Sequence, residues 1–399
     1  DLAAVARRTV PATVAGRGDY PWSLADAARR LAPASPFAYT GALENHPDLI
    51  ATIAADRPVA GTGADAVRRL RDPVRLAAAA RTAGLGFPET FHDGTGVPTD
   101  GTFLVKPLAG AGGRGIRVWH GPEPADSRDL SADRSTGKRP HQRPRIWQRL
   151  VRGAAISASY VMSCGEGRLF GVSRQLLGRR WCHAAGFTWC GAVVARGPEG
   201  PPWERRLHAP LTRLGDVLGE VYSPLGVVGV DLVLRPDHGL TVIEVNPRPT
   251  ASMELFERLG AISVARAHLS ACGLTAEGTV PGSPRASVAA PGGPAWAKAV
   301  LFAARPTLVS HTLVTTIASA AAPWTDSDGG WPSLADIPRP GQTIPVGLPV
   351  MTIFARGATP LRAVRSLRER TARLDALLAA AQPASLRGAA SAAAWAATR

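Results

Sequence analysis

Two short runs of alternating apolar residues, VVGVDLVL at 227–234 and LTVIEVN at 240–246, are separated only by RPDHG. Period-two alternation marks a strand with one buried face, and Asp-His-Gly is good turn chemistry, so the pair reads as an antiparallel hairpin. With the turn centred between Asp237 and His238, Asp231 falls directly opposite Glu244. Val228, Val230, Leu232 and Leu234 then share one wholly apolar face with Ile243 and Val245. The other face carries two carboxylates about 5 Å apart at Cβ, with Asn246 next along the same edge. Like charges at that distance are unfavourable unless a cation neutralises them. Carboxylate and amide oxygens are hard ligands suited to Mg²⁺. A hairpin with one solvated face and a coincidental charge pair is the plainer alternative. Arg248 follows between Pro247 and Pro249, placed to reach a phosphoryl group or a carboxylate.

Such a cation site needs an anion-binding partner, and base usage points to one. Of 46 basic residues only Lys106, Lys138 and Lys298 are lysines. Lys106 sits in FLVKPLAGAGGRGIRVW, a short apolar run followed by Gly110, Gly112, Gly113 and Gly115. Glycines allow positive φ and close backbone approach, so successive amides can line an anion while the ammonium adds a compact charge. The stretch is no Walker loop, because no Gly-Lys-Ser/Thr follows and the next residues, Ile116 and Val118, read as strand. Taken alone, an ordinary glycine-rich hairpin has the same signature.

Composition removes other classes. No apolar run approaches the ~18 residues of a membrane span, and no secretion signal is visible, which makes cytoplasmic the expected address. The net charge of +15 comes from arginines scattered along the chain, without a dense basic run, so nucleic acid is not expected as a partner. The four cysteines lack zinc-type spacing and read as ordinary reduced thiols.

Together, FLVKP with its glycine loop, GVVGVDLVL and VIEVNPRPT resemble the ATP-grasp superfamily, in its branch of ATP-dependent carboligases related to biotin carboxylase. The Asp-x12-Glu-x-Asn arrangement with its trailing Pro-Arg is fairly specific only in combination with the lysine and glycine loop. The resemblance implies an α+β ATP-grasp fold in which two subdomains clamp ATP. It implies Mg²⁺ (or Mn²⁺) on Asp231, Glu244 and Asn246, phosphates against Lys106 with Gly112, Gly113 and Gly115 as a flap, and Arg248 stabilising an acyl-phosphate transition state. It further implies an ADP-forming ligation of a small-molecule carboxylate to an amine; no oligomeric state follows. Phosphorylation of bicarbonate at the same site, or ATP binding without turnover, are the rivals.

The rest of the chain is laid out on that plan. Residues 1–71 are expected to form part of a small α/β domain, 72–262 the ATP-grasp domain, 263–294 a helix and linker, 295–382 a β-rich C-terminal region with a terminal helix, and 383–399 a tail. The family begins with a further strand and helix not found here; with Asp1 in place of Met, the chain is expected to start inside that domain or to be misassigned at its start. Residues 146–151 read either as the hinge strand whose backbone meets adenine, with Gln148 and Leu150 nearest, or as an apolar edge strand. GRLFGVSRQLLG alternates as a strand carrying Arg174 and Gln175 toward the cleft for substrate, although a solvated edge arginine would look the same. In YTGALENHPDLI a helix is capped near Asn45, with Glu44 and His46 either touching substrate at a cleft edge or solvated. Pro73 stands where the family often has a second ATP lysine, so Arg75 replaces it or the contact is missing. The segment 120–145, including Lys138, reads as an insertion without chemistry. Lys298 reads as exposed, and 361–381 as an amphipathic packing helix.

Overall fold

In a computed structural model the structure describes residues 21–31, 35–122, 144–195, 202–260, 262–274 and 294–382. The expected insertion with Lys138, the linker after residue 274 and the tail lie outside them, apart from a few flanking residues.

Gly226–Leu234 and Leu240–Asn246 form the hairpin, with Asp231 opposite Glu244 and Val230 opposite Val245. One detail differs from the simple alternation. A bulge follows Asp231, so Leu232 pairs with Val242 and Ile243 is left over. Val242 therefore takes the buried place expected for Ile243, which is only half-buried and turns toward the cleft beside Glu244.

This hairpin forms one edge of an eight-stranded antiparallel sheet. In order, its further strands are Ala154–Ser163, Glu166–Leu177, Trp189–Val194, Ala295–Phe302, Pro349–Gly357 and Leu334–Ala335. The strands from 295 onward thus extend the same sheet rather than forming a separate region. Their junction is close: Gly191 has φ 155°, and a Cβ there would lie 2.1 Å from the Lys298 carbonyl oxygen. One face of the hairpin end packs on the long helix Pro202–Tyr222 through Tyr160, Leu211, Leu214, Val228 and Val230. At the other end Leu367, Leu374 and Leu378 of the helix Pro360–Ala380 cover the strands, as the spacing of that helix predicts, while Leu361 is exposed.

Facing the hairpin is a four-stranded antiparallel sheet in the order Thr90–Phe91, Arg145–Arg149, Phe103–Pro107, Arg117–Val118. Its apolar side holds Val97, Phe103, Val105 and Trp119. Strand alternation sends Lys106 the other way, toward the carboxylates. Before it, a parallel pair, Phe37–Ala38 with Val59–Ala60, is connected through the helix Pro47–Ala54 and packs on Leu49, Ile50 and Ile53. No helix among the described residues is long and apolar enough to cross a membrane.

Candidate functional site

The two sheets meet at an open cleft whose empty space, including its solvent-filled mouth, is about 370 Å³. Leu70, Leu76, Phe87, Ile146 and Ile243 make its walls apolar, while Arg71, Lys106, Gln148 and Glu244 supply polar groups. An apolar slot ending in a few convergent charges suits a flat heterocycle carrying an anionic tail.

At the charged end Glu244 lines the cleft, and Asp231 stands opposite it on the adjacent strand, near enough for the two charges to interact. Asp231 Oδ1 accepts a hydrogen bond from Gln175 Nε2 at 2.6 Å, and Oδ2 accepts from Asn246 Nδ2 at 2.9 Å. Lys106 Nζ lies 4.0 Å from Glu244 Oε2 and donates to Gln148 Oε1 at 3.3 Å. Gln148 is held in turn by the hydrogen bond that its Nε2 donates to Thr90 Oγ1 at 3.2 Å. Burial lowers the Lys106 ammonium from its ordinary value, partly offset by Glu244. Burial, and then the charge of Glu244, push Asp231 up to about 6. A carboxyl group so poised is short of positive charge, and a divalent ion would supply it. Two carboxylates plus the Asn246 amide oxygen fit the hard oxygen set that Mg²⁺ takes, with substrate phosphates completing it.

A stability prediction follows from the shift. The folded protein holds the Asp231 proton more tightly than the unfolded chain, whose value is 3.8. The ionised group therefore costs stability above pH 6, and the cost fades as pH falls toward 4. Without divalent metal, Asp231→Asn should melt a few degrees above the native protein at pH 8, corresponding to about 2 kcal/mol. The gap should narrow to about half near pH 5 and close only around pH 4 and below; a variant that melts lower at pH 8 contradicts the account.

The glycine loop stands where the spacing predicts. Gly112, Gly113 and Gly115 have φ of 64°, 74° and 75°. At Gly113 a Cβ would sit 2.0 Å from the Phe187 carbonyl oxygen, and Trp189 N donates to Gly112 O at 2.9 Å, so the loop rests on the 185–189 segment of the large sheet. The loop thus reaches across the cleft from the lysine strand to the opposite wall.

Other expectations need correction. Leu150 does not line the cleft, and its N–H donates to Thr102 O at 2.8 Å. Of Arg174 and Gln175 only Gln175 faces Asp231. Neighbours on a strand point to opposite sides, and Arg174, cross-paired with the core residue Ile156, is exposed on the other face. Glu44 is neither solvated nor at an open edge: it is 2% exposed, with Oε1 2.8 Å from Arg248 Nη2. Asn45 is no cap; His46 precedes the helix, Pro47 is its first residue, and the Asn45 amide donates to Gly110 O at 3.2 Å. Lys298 is buried, donating to Ala251 O at 3.0 Å and paired with Glu254 beside the rings of Trp189 and Phe354. Arg75 sits exposed beside Asp72, outside the cleft.

In its stead Arg71 lines the cleft, where its charge is felt by Lys106. Its Nη2 donates to Asn45 Oδ1 at 2.7 Å and to Leu108 O at 3.2 Å. Its position two residues before Pro73, at the mouth of a helix capped by Asp72, was the available signal. Ser157 and Ser173, a buried cross-strand pair beside Asp231, carried no signal in an apolar stretch.

Residues 70–252 match the sequence family described as the ATP-grasp domain. No curated protein matches the chain. Among solved structures, pyruvate carboxylase of Rhizobium etli superposes with a TM-score of 0.61 at 16% identity, covering 87% of this chain and 31% of that one. The chain thus spans about a third of that protein. The biotin carboxylase domain of Hydrogenobacter thermophilus 2-oxoglutarate carboxylase gives 0.55 at 13% identity, covering 87% and 75%. N5-carboxyaminoimidazole synthase of Aspergillus clavatus gives 0.56 at 12%, covering 82% and 79%.

Proposed function

From the premise that this chain belongs to the ATP-grasp superfamily and shares the fold of biotin carboxylase, we propose that it is an ADP-forming ligase joining a small carboxylic acid to an amine. The observation that carries this reading is the meeting of Lys106 and Glu244 in an apolar cleft, with Asp231 opposite Glu244 on the adjacent strand. Adenine would lie in the slot beside Ile243 and Ile146, with the triphosphate directed toward Lys106, Arg71 and the amides of the glycine loop. Asp231, Glu244 and the Asn246 oxygen would hold Mg²⁺, which when bound neutralises phosphate charge.

Lys106 stabilises the negative charge on the phosphates as a substrate carboxylate oxygen attacks the γ-phosphorus. A new O–P bond forms, the bond to the ADP oxygen breaks, and an acyl phosphate results. An amine then attacks the acyl carbon, and phosphate leaves. Arg248, beyond the carboxylates, stabilises charge on the transferring phosphoryl group. The glycine loop, resting on the far wall, excludes water that would hydrolyse the intermediate.

A second reading keeps the site and changes the acid. The Hydrogenobacter thermophilus domain was crystallised with MgADP and bicarbonate, and bicarbonate in the place of an organic acid would make this protein a carboxylase-type enzyme. ADP release from Mg-ATP, measured across a panel of carboxylates, bicarbonate and amines with Asp231→Asn as control, separates the readings. ADP requiring both an organic acid and an amine supports the ligase, and bicarbonate dependence without an amine supports the carboxylase. ATP binding with no ADP from any pair marks a regulatory module. Equal ADP from the Asp231→Asn protein overturns the assignment of the site.

A further inference from the structure

Arg248 is held by a group from the opposite end of the sequence. The single turn Leu43–Asn45 enters through Ala42 at φ 66° and presents two consecutive side chains to the two walls of the cleft. Glu44 reaches the hairpin wall, where Oε1 lies 2.8 Å from Arg248 Nη2. Asn45 reaches the other, donating to Gly110 O at the glycine loop and accepting from Arg71. Behind the turn, the Tyr39 hydroxyl donates to Thr62 O at 2.6 Å and lies 3.4 Å from Pro247 O, so the backbone just before Arg248 is touched by the same unit.

The Glu44 side chain is 1% exposed and that of Arg248 14%. Neither Glu44 oxygen has a hydrogen-bond partner among the described residues, so its contact with Arg248 is an ion pair without hydrogen-bond geometry. A buried carboxylate without other partners depends on its counter-ion, and the counter-ion is correspondingly fixed in direction. On the far side Nη1 of Arg248 donates to Pro249 O at 3.2 Å. The guanidinium is thus set between a carboxylate and a carbonyl, and the carboxylate is too deeply covered to meet a solute. Resting on the reading of Arg248 given above, we propose that Glu44 is a positioning residue: it orients the Arg248 guanidinium toward the transferring phosphoryl group and makes no contact with substrate.

The test uses MgADP with and without aluminium fluoride, a mimic of the phosphoryl group in transfer, binding to the full chain by calorimetry. In the native protein aluminium fluoride should tighten MgADP binding. Glu44→Gln should leave MgADP affinity within about twofold but cut the aluminium fluoride gain roughly tenfold or more, as expected when a charge-stabilising group is misplaced. Arg248→Met should lose a similar factor, and the double variant should lose no more than Arg248→Met alone, because Glu44 acts only through the arginine. Glu44→Asp, which keeps the charge, should recover part of the gain. Additive losses, an unaffected Glu44→Gln, or a Glu44→Asp as poor as Glu44→Gln would overturn the positioning role. Native protein that binds MgADP no tighter with aluminium fluoride would instead overturn the role of Arg248 itself, and native protein that fails to bind MgADP would overturn the nucleotide site; either result removes the role of Glu44 with it.

Discussion

Asp231→Asn and Glu244→Gln are each expected to reduce ADP formation by about a thousandfold or more while leaving the protein folded. Both replacements keep the side-chain shape and remove one negative charge. The amide at 231 can still accept from Gln175, and the Asn246 amide can turn to suit it. The two carboxylates are opposed on neighbouring strands, and among the described residues no cation lies closer to them than Lys106, 4.0 Å from Glu244. That arrangement is costly in the empty protein and useful only when positive charge arrives, so each variant trades activity for stability. Initial rates of ADP formation with the best substrate pair, set beside thermal melts, check both halves. Loss of activity together with loss of fold would place these residues in the framework instead.

Lys106→Met should be nearly as damaging to nucleotide use. A charge-assisted bond from a buried ammonium to phosphate is worth about 2 kcal/mol or more, so ATP affinity should fall at least about thirtyfold. The effect on the empty protein has the opposite sign. The ammonium is buried, lowered from its ordinary value by desolvation, and has among the described residues a single hydrogen-bond acceptor, Gln148 at 3.3 Å. Its charged form is disfavoured by folding, so a methionine of similar length relieves that penalty. Equilibrium nucleotide binding and melting without nucleotide measure the two effects. A variant that binds ATP as the native protein does would remove Lys106 from the phosphate site.

The parts of this site that could be read from the chain are those governed by local periodicity. Asp231 and Glu244 were opposed by counting outward from one turn, and the glycine loop by the residues that permit positive φ. The bulge at Ile243 escaped, because Val242 and Ile243 are both apolar and either could have filled the core position. Arg174 was legible in principle: strand parity forbids it from joining Gln175 on one face. Glu44 and Arg248 meet across 204 positions of sequence, and nothing in either local pattern names the other. Lys298 looked exposed because a lone cation in an apolar strand is costly to bury; its compensation, Glu254 and two aromatic rings, comes from other elements. The extension of the large sheet by the C-terminal strands is likewise a matter of long-range pairing, on which composition is silent.

The central claim is that Asp231 and Glu244 hold a divalent ion together with the phosphates of a nucleotide. Manganese in place of magnesium makes this directly visible: because ATP itself takes up Mn²⁺, the protein-bound complex is read from the enhancement of water proton relaxation over that of Mn-ATP alone, and titration should show one such site per chain. Asp231→Asn should show little or no enhancement at concentrations that saturate the native protein. Equal enhancement by the two proteins would contradict the account.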